Sequence, residues 1–380
     1  MPQEKQMKND QSINSQKPIL LVGGGTGGHI FPLIALGEEL ASRNIPFIFV
    51  GGRLGKESEV VGEYGWPFRA ISAGKWRRYW SATALLQNIL DLGRFTKGFF
   101  ESLSLLIKTD SQVVFSKGGY VALPVVLAAR LLGRRVIIHE SDSVMGMTNR
   151  ISVRLASKIL TAFSPSVFPN HDSRFEQVGI PIRRTLRQAA NLQGVRKSRP
   201  LVLVIAGIQG SKAINHLVRE ALPELVQVAD VVHITGEAEI LSHKTIAQGL
   251  SKKFQNAYRP FAFITRELPY YFQSSDLIVS RASATTIAEA ALFSRAMYLI
   301  PLPSSASDHQ LTNALHLQAA GAAVLREEKV LNTEKFTEDI KRLLADKAQL
   351  QSLGTRLSKY FNEQGAVGRV VEIITKGEAR

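Results

Sequence analysis

No cysteine occurs anywhere in the 380-residue chain. That excludes disulfides and thiolate-bound metals, and it fits a reducing cytoplasm. Long hydrophobic runs are lacking too. A bilayer span needs about 18 or more apolar residues, and the longest apolar stretch, VALPVVLAARLLG, is broken by Pro124 and Arg130. The opening residues, MPQEKQMKNDQSINSQKP, have no apolar core, so residues 1–17 read as a mobile polar tail and not as a signal peptide. Metal signatures are missing as well: there is no H-E-x-x-H, no EF-hand loop and no Asp-x-Asp at a strand end. Acidic residues are in deficit, 32 against 47 Lys and Arg, for a formal charge of +15. Such a balance points to an anionic partner (nucleic acid, a membrane surface or phosphorylated ligands) or to a generally basic surface.

What is present is enough for two ordinary domains with packed cores, since 45% of residues are hydrophobic. Short apolar runs alternate with helix-like stretches. PILLV, PFIFV, VVF and VIIHE are strand candidates in the first half, and PLVLVIAG, VVHIT, FAFI, LIVS and AMYLIPLP in the second. Helices are expected over Phe31–Ser42 and Thr285–Phe293, which makes an α/β protein with parallel sheets. The pattern restarts: ILLVGGGTGGHI opens one half and LVLVIAGIQGSKAI the other. Two domains of nucleotide-binding type are expected, over 18–178 and 179–352, with a last helix from about Leu353 to Lys376 (within 353–380) whose partner domain stays open.

Five glycines in six residues, Gly23 to Gly28, follow the first strand. Glycine lets backbone approach a ligand closely, and a turn from a strand into a helix aims free N–H groups at an anion. A phosphate or sugar-phosphate cradle is the functional reading and a tight turn the plain one. The dinucleotide pattern G-x-G-x-x-G also fits, but FIFVGGRLG offers no acidic residue for a ribose. His29 stands where the helix begins. A helix N-terminus disfavours the imidazolium, so His29 reads as a neutral base or as a histidine packed against the other domain. Further loops occur in VVFSKGGYVALP and in AGIQGSKAIN, which holds Gly207 and Gly210. VSRASATTIAEAA enters another helix, with Glu289 just inside it as a ribose ligand or as a favourable helix-end charge. Asp308, His309 and Gln310 follow the next strand, where ligands of α/β sheets bind.

Together GGTGGHIFP, FSKGGYV, IHESDSVMGMTNR, VGIPIR and SRASATTIAEA…DHQLTNA resemble, over about Pro18 to Gly368, the family of N-acetylglucosaminyltransferases of bacterial cell-wall synthesis. The resemblance implies two Rossmann-like domains in the GT-B arrangement with an interdomain active site. It implies an inverting transfer from UDP-N-acetylglucosamine, bound by the second domain, to the C4 hydroxyl of an undecaprenyl-diphosphate-linked muramyl pentapeptide that meets the first. No cofactor or metal is implied. Thr26, Gly27 and Gly28 match the first glycine loop and His29 the candidate base. Arg183 matches a donor-side arginine, and Ile264 the residue whose backbone reads uracil. Ala284, Thr285, Thr286 and Glu289 match the ribose and phosphate segment, and Gln310 a donor-sugar contact. Asp142 and Asn149 lie in the matching IHESDSVMGMTNR segment. The third loop departs from the family's Gly-Gly-Ser, with Ala206, Gly207 and Ile208, so the N–H groups of Gly207 and Gly210 are left to meet the phosphate.

A glycolipid glucosyltransferase and a UDP-N-acetylglucosamine 2-epimerase share this architecture. A nucleic-acid binder would not need three glycine loops. The stretch Gly74 to Phe100 carries Lys75, Arg77, Arg78, Arg94 and Lys97 among Trp76, Tyr79, Trp80, Leu85, Leu86, Ile89, Phe95 and Phe99. It reads as a core helix with a basic end or as a contact with an anionic membrane surface. In matching family members this region faces the membrane, which implies a peripheral enzyme on the cytoplasmic face of the cell membrane, with no nucleic-acid partner.

Overall fold

The computed structural model describes residues 17–24, 27–53, 57–74, 82–191, 198–207, 210–264, 266–303, 305–361 and 365–376. The chain divides into two compact units, one from residues up to 139, 148–159 and 370 onward, the other from 140–147 and 160–369.

In chain order the first half contains β1 (Ile19–Val22), α1 (Gly27–Ser42), β2 (Phe47–Gly52), α2 (Glu57–Gly62), β3 (Phe68–Ile71) and α3 (Ala82–Thr109). Next come β4 (Val113–Ser116), α4 (Ala122–Leu131), β5 (Arg135–Glu140), α5 (Met147–Ser152), β6 (Lys158–Thr161) and β7 (Phe175–Gln177). Their sheet has the order β3-β2-β1-β4-β5-β6-β7, and the pairs from β3 through β5 are parallel. β1 is buried at all four residues, which explains its unbroken apolar run: both faces of a parallel sheet are covered.

The second half holds α6 (Arg184–Ala190), β8 (Leu201–Ile205), α7 (Lys212–Val228), β9 (Asp230–Ile234), α8 (Ile240–Gly249), β10 (Tyr258–Phe261) and α9 (Leu268–Ser274). It continues with β11 (Leu277–Ser280), α10 (Ala284–Leu292), β12 (Ala296–Leu299), α11 (His309–Ala319), β13 (Val324–Leu325), α12 (Thr333–Ala345), α13 (Lys347–Phe361) and α14 (Ala366–Thr375). The strand order is β10-β9-β8-β11-β12-β13, parallel throughout. One core cluster includes Leu203, Ile278 and Ile287, and a second includes Val204, Val279 and Leu222. Alternate residues of β8 and β11 thus point to opposite faces, and helices cover both.

Both sheets reverse their order once beside the first strand of the half, between β1 and β4 and between β8 and β11. Loops leaving the carboxyl ends of two such strands diverge and leave a crevice for ligand. The glycine turns after β1 and β4, and the turns after β8 and β11, stand at these points.

Three features differ from the sequence reading. β3, β6, β7 and β13 are short strands without a strong apolar run. β10 begins at Tyr258 and ends at Phe261, so most of FAFI lies past it. Pro260 fits this edge strand, where a missing N–H breaks no ladder. The last helix, expected over Leu353 to Lys376, is two helices, α13 and α14.

Candidate active site

In the first unit, Gly27 and Gly28 open α1, and His29 sits in its first turn, half-buried. Thr26 lies outside the described residues. His29 Nδ1 is 3.0 Å from the carbonyl oxygen of Gly24. A carbonyl only accepts, so Nδ1 carries the proton and Nε2 is the basic nitrogen of the neutral ring. The second glycine loop packs against this contact. Gly119 has φ +81°, and a Cβ there would come within 2.5 Å of the Gly24 oxygen and 3.3 Å of His29 Nδ1. Only glycine fits on both counts. The neighbouring Gly118 faces Asn149, which is buried and donates from Nδ2 to the His139 carbonyl at 3.1 Å. Gly28, His29 and Asn149 therefore belong to one group around two glycine turns.

The second unit builds its group at the ends of β8, β11 and β12. Gly207 and Gly210 both have positive φ, +89° and +79°. A Cβ on Gly210 would stand 2.4 Å from the Thr235 carbonyl oxygen, so Gly210 packs directly against the end of β9. Ile208 lies outside the described residues. Ser211 caps α7, accepting from the Ile214 N–H. Ser211 also accepts from Arg281 Nη2 at 2.7 Å, while Arg281 Nη1 donates to the carbonyls of Ile300 and Pro301 and pairs with Glu328. One guanidinium thus pins the tips of three strands at the reversal point.

α10 begins at Ala284, with Ser283 as its N-cap and Thr285 and Thr286 half-exposed in the first turn. No acidic residue occupies that turn. Glu289 lies in the second turn, so the helix-end charge reading is corrected. Its partner is Arg183, whose Nη2 stands 3.7 Å from Glu289 Oε1. Burial pushes the Glu289 carboxyl up to about 6, against the opposing pull of the Arg183 charge. A buried carboxyl poised in this way can accept from paired hydroxyls.

Ile264 is buried just past β10. Gln310, in the first turn of α11, accepts from the Leu302 N–H at 3.0 Å. Before it, Ser307 and Asp308 both adopt left-handed φ, 55° and 51°, a conformation that costs about 1–3 kcal/mol per non-glycine residue and gathers at binding loops. Asp142 belongs to the same compact unit, although its segment was read with the first domain. The fully buried Asn313 holds it: Nδ2 donates to Asp142 Oδ1 at 2.9 Å, and Oδ1 accepts from the Ser143 N–H and hydroxyl, each at 2.8 Å. Among the described residues, no group of three or more His, Asp or Glu side chains could hold a metal ion.

Residues 19–161 match the glycosyltransferase family 28 N-terminal domain, and residues 201–366 match the family's C-terminal domain. The chain belongs to glycosyltransferase family 28. Among relatives of this family 28 enzyme, the Clostridium kluyveri UDP-N-acetylglucosamine–N-acetylmuramyl-(pentapeptide) pyrophosphoryl-undecaprenol N-acetylglucosamine transferase is 32% identical, covering 95% of this chain and 99% of its own. The Geobacillus thermodenitrificans protein of the same name is 35% identical over 87% and 92%. The solved structure of Acinetobacter baumannii MurG superposes with TM-score 0.76 at 25% identity, covering 95% of this chain and 99% of that one. The kitacinnamycin glycotransferase shares the fold, with TM-score 0.70 at 15% identity. These likenesses establish a glycosyltransferase with two Rossmann-like domains in the GT-B arrangement.

Sequence reasoning passed over Arg281 and Asn313. Both carried a signal: Arg281 is a charge directly after the apolar run LIVS, and Asn313 lies one helical step from Gln310 in DHQLTNA.

Proposed function

We propose that this family 28 glycosyltransferase moves N-acetylglucosamine from UDP-N-acetylglucosamine to the C4 hydroxyl of the undecaprenyl-diphosphate-linked N-acetylmuramyl pentapeptide, with inversion. The observation that carries this reading is the near-full-length likeness to relatives named for that transfer. The second unit takes the donor. The backbone N–H of Gly207 and the starts of α7 and α10 receive the diphosphate, as helix N-termini favour anions; the Gly210 N–H, expected to share this role, instead closes the turn on the Gly207 carbonyl at 3.1 Å. Glu289, oriented by Arg183, accepts from the ribose hydroxyls, Ile264 offers its backbone to uracil, and Gln310 meets the sugar.

The first unit takes the acceptor, with the N–H groups of Gly27 and Gly28 toward its diphosphate. The C4 hydroxyl attacks the anomeric carbon from the face opposite UDP. His29 Nε2 removes its proton as the bond forms, since Nδ1 is engaged by Gly24. The bond to the UDP oxygen breaks, and the charge that develops on the diphosphate is met by the same N–H groups. We further assign the acceptor's entry to an anionic membrane surface at the cytoplasmic face, through Lys75–Phe100. Lys75 to Ser81 lie outside the described residues. In the described part, Leu90, Leu92 and Phe100 are exposed beside Arg94 and Lys97. No helix among the described residues is long and apolar enough to cross a membrane.

The test is a transfer assay with radiolabelled UDP-N-acetylglucosamine and a short-chain muramyl-pentapeptide diphosphate. Label in a β-linked disaccharide product is the expected result. Transfer to diacylglycerol, or release of the 2-epimer without transfer, would replace this reading.

A further inference from the structure

Beneath the donor-side glycine turn lies a set of polar side chains that the transfer itself does not use. His233 on β9 and His243 on α8 are fully buried, and Tyr258 on β10 and Asn215 on α7 nearly so. The Tyr258 hydroxyl lies 2.7 Å from His243 Nδ1 and 3.0 Å from His233 Nδ1. His233 Nε2 is 3.0 Å from Asn215 Oδ1, and Asn215 Nδ2 donates to the Thr235 carbonyl at 2.9 Å.

Each proton in this set has one consistent place. The Thr235 carbonyl only accepts, which fixes the Asn215 amide with its NH₂ toward Thr235 and its oxygen toward His233. An amide oxygen only accepts, so His233 Nε2 carries a hydrogen. In the neutral ring His233 Nδ1 is then bare and accepts from the Tyr258 hydroxyl. That hydroxyl has a single hydrogen, so His243 Nδ1 donates to the Tyr258 oxygen. His243 Nε2 is the bare nitrogen, and it stands 3.8 Å from Glu239 Oε2, beyond hydrogen-bond reach. Burial holds both rings below the ordinary histidine value, and for His233 the neighbouring His243 adds to this, so both favour the neutral state.

The donors thus run in one direction, from His243 through Tyr258, His233 and Asn215 to Thr235. The chain ends where the donor loop rests, because the Thr235 oxygen is the atom on which Gly210 lies without room for a Cβ. Thr235 is held from its other side as well, its N–H donating to the Phe261 carbonyl at 2.9 Å. Between His243 Nδ1 and Thr235 each link of this buried chain is filled, and breaking one leaves a costly unpaired group.

We infer that His243, Tyr258, His233 and Asn215 are positioning residues for the donor: their one-way hydrogen-bond chain fixes the Thr235 carbonyl as the floor of the Gly207–Gly210 turn. The inference rests on that turn receiving the UDP diphosphate.

Calorimetry with UDP-N-acetylglucosamine and steady-state kinetics on the full chain test it, comparing the parent with Tyr258→Phe. Loss of the hydroxyl removes two links, so donor Kd and donor KM should rise by about three- to tenfold, as for a lost buried hydrogen bond. The kcat at saturating donor and the acceptor KM should hold. A Tyr258→Phe protein that is less heat-stable but binds donor as the parent does would reduce the network to core structure and overturn the inference. A parent that binds no UDP-N-acetylglucosamine would instead unseat the donor-site reading, and the inference with it. Should Tyr258→Phe fail to fold, nitrogen-15 histidine NMR on the parent decides. His243 should carry its proton on Nδ1 and His233 on Nε2, and the His233 signals should shift when UDP is added. A His243 proton on Nε2, or His233 signals indifferent to UDP, would overturn it.

Discussion

His29 and Glu289 share a principle: a neighbouring group sets the state of a titratable side chain. For His29 the neighbour is the Gly24 carbonyl, which leaves Nε2 as the basic nitrogen. His29→Ala should lower kcat by about 10²–10⁴ while UDP affinity, measured by calorimetry, stays near the parent's. Turnover close to the parent's would remove His29 from proton transfer. For Glu289 the neighbours are the surrounding core and Arg183. Glu289→Ala should weaken donor binding by about 1.5–3 kcal/mol, as for a lost charged hydrogen bond. Its folded pKa, about 6, exceeds the ordinary glutamate value of 4.5, so the folded state holds the proton more tightly than the unfolded chain. The stability this contributes is present below the unfolded value and is lost as pH rises through about 6. The range is about 2 kcal/mol. Urea unfolding across pH should therefore show Glu289→Gln gaining on the parent from about pH 4 to about pH 7, whatever its constant offset. Glu289 was legible in the sequence as a candidate residue, but its buried pairing was not. Placement near a helix end is a local pattern, whereas a partner about a hundred residues earlier, Arg183, is visible only in the fold.

Among the elements, the glycine turns and the strands feeding them were the most legible, because φ preference and apolar burial are local properties that sequence records directly. β1, β4, β8 and β11 were read from their runs; the two crevices beside them needed the strand order. β3, β6, β7 and β13 were not, since short edge or late strands need only a few half-buried residues. Asn313 escaped for a related reason: an asparagine on a helix resembles surface until the loop carrying Asp142 and Ser143 closes over it. The close packing of the turns supports a sharp expectation. Gly119→Ala must move either the Gly24 carbonyl or its own backbone out of a left-handed φ. Because that carbonyl holds His29, kcat should fall by at least about tenfold with donor affinity unchanged. A fully active Gly119→Ala protein would show that the two turns are not coupled.

At the scale of the molecule the excess of 47 basic over 32 acidic residues fits phosphorylated substrates and an anionic surface alike. Replacing Trp76, Trp80 and Phe95 with Ser should weaken sedimentation with anionic vesicles while sparing activity on a soluble short-chain acceptor. Added salt should weaken binding of the parent, because exposed charges are screened beyond about 10 Å at 0.1 M. Vesicle binding equal to the parent's would move the membrane contact elsewhere.

The compact unit that begins the chain also contains its end. Val370, Val371, Ile373 and Ile374 of α14 are buried, and Arg135 at the start of β5 donates to the carbonyls of Ile373 and Lys376. On the ribosome, residues 160–369 must all be made before this helix emerges, which takes roughly 10 to 40 s at ordinary elongation rates. Throughout that interval the nascent first unit keeps bare the apolar strip that α14 will cover. Its final closure is thus timed by translation, and a ribosome stalled before Val370 should hold a protease-sensitive first half that a chain released at full length does not.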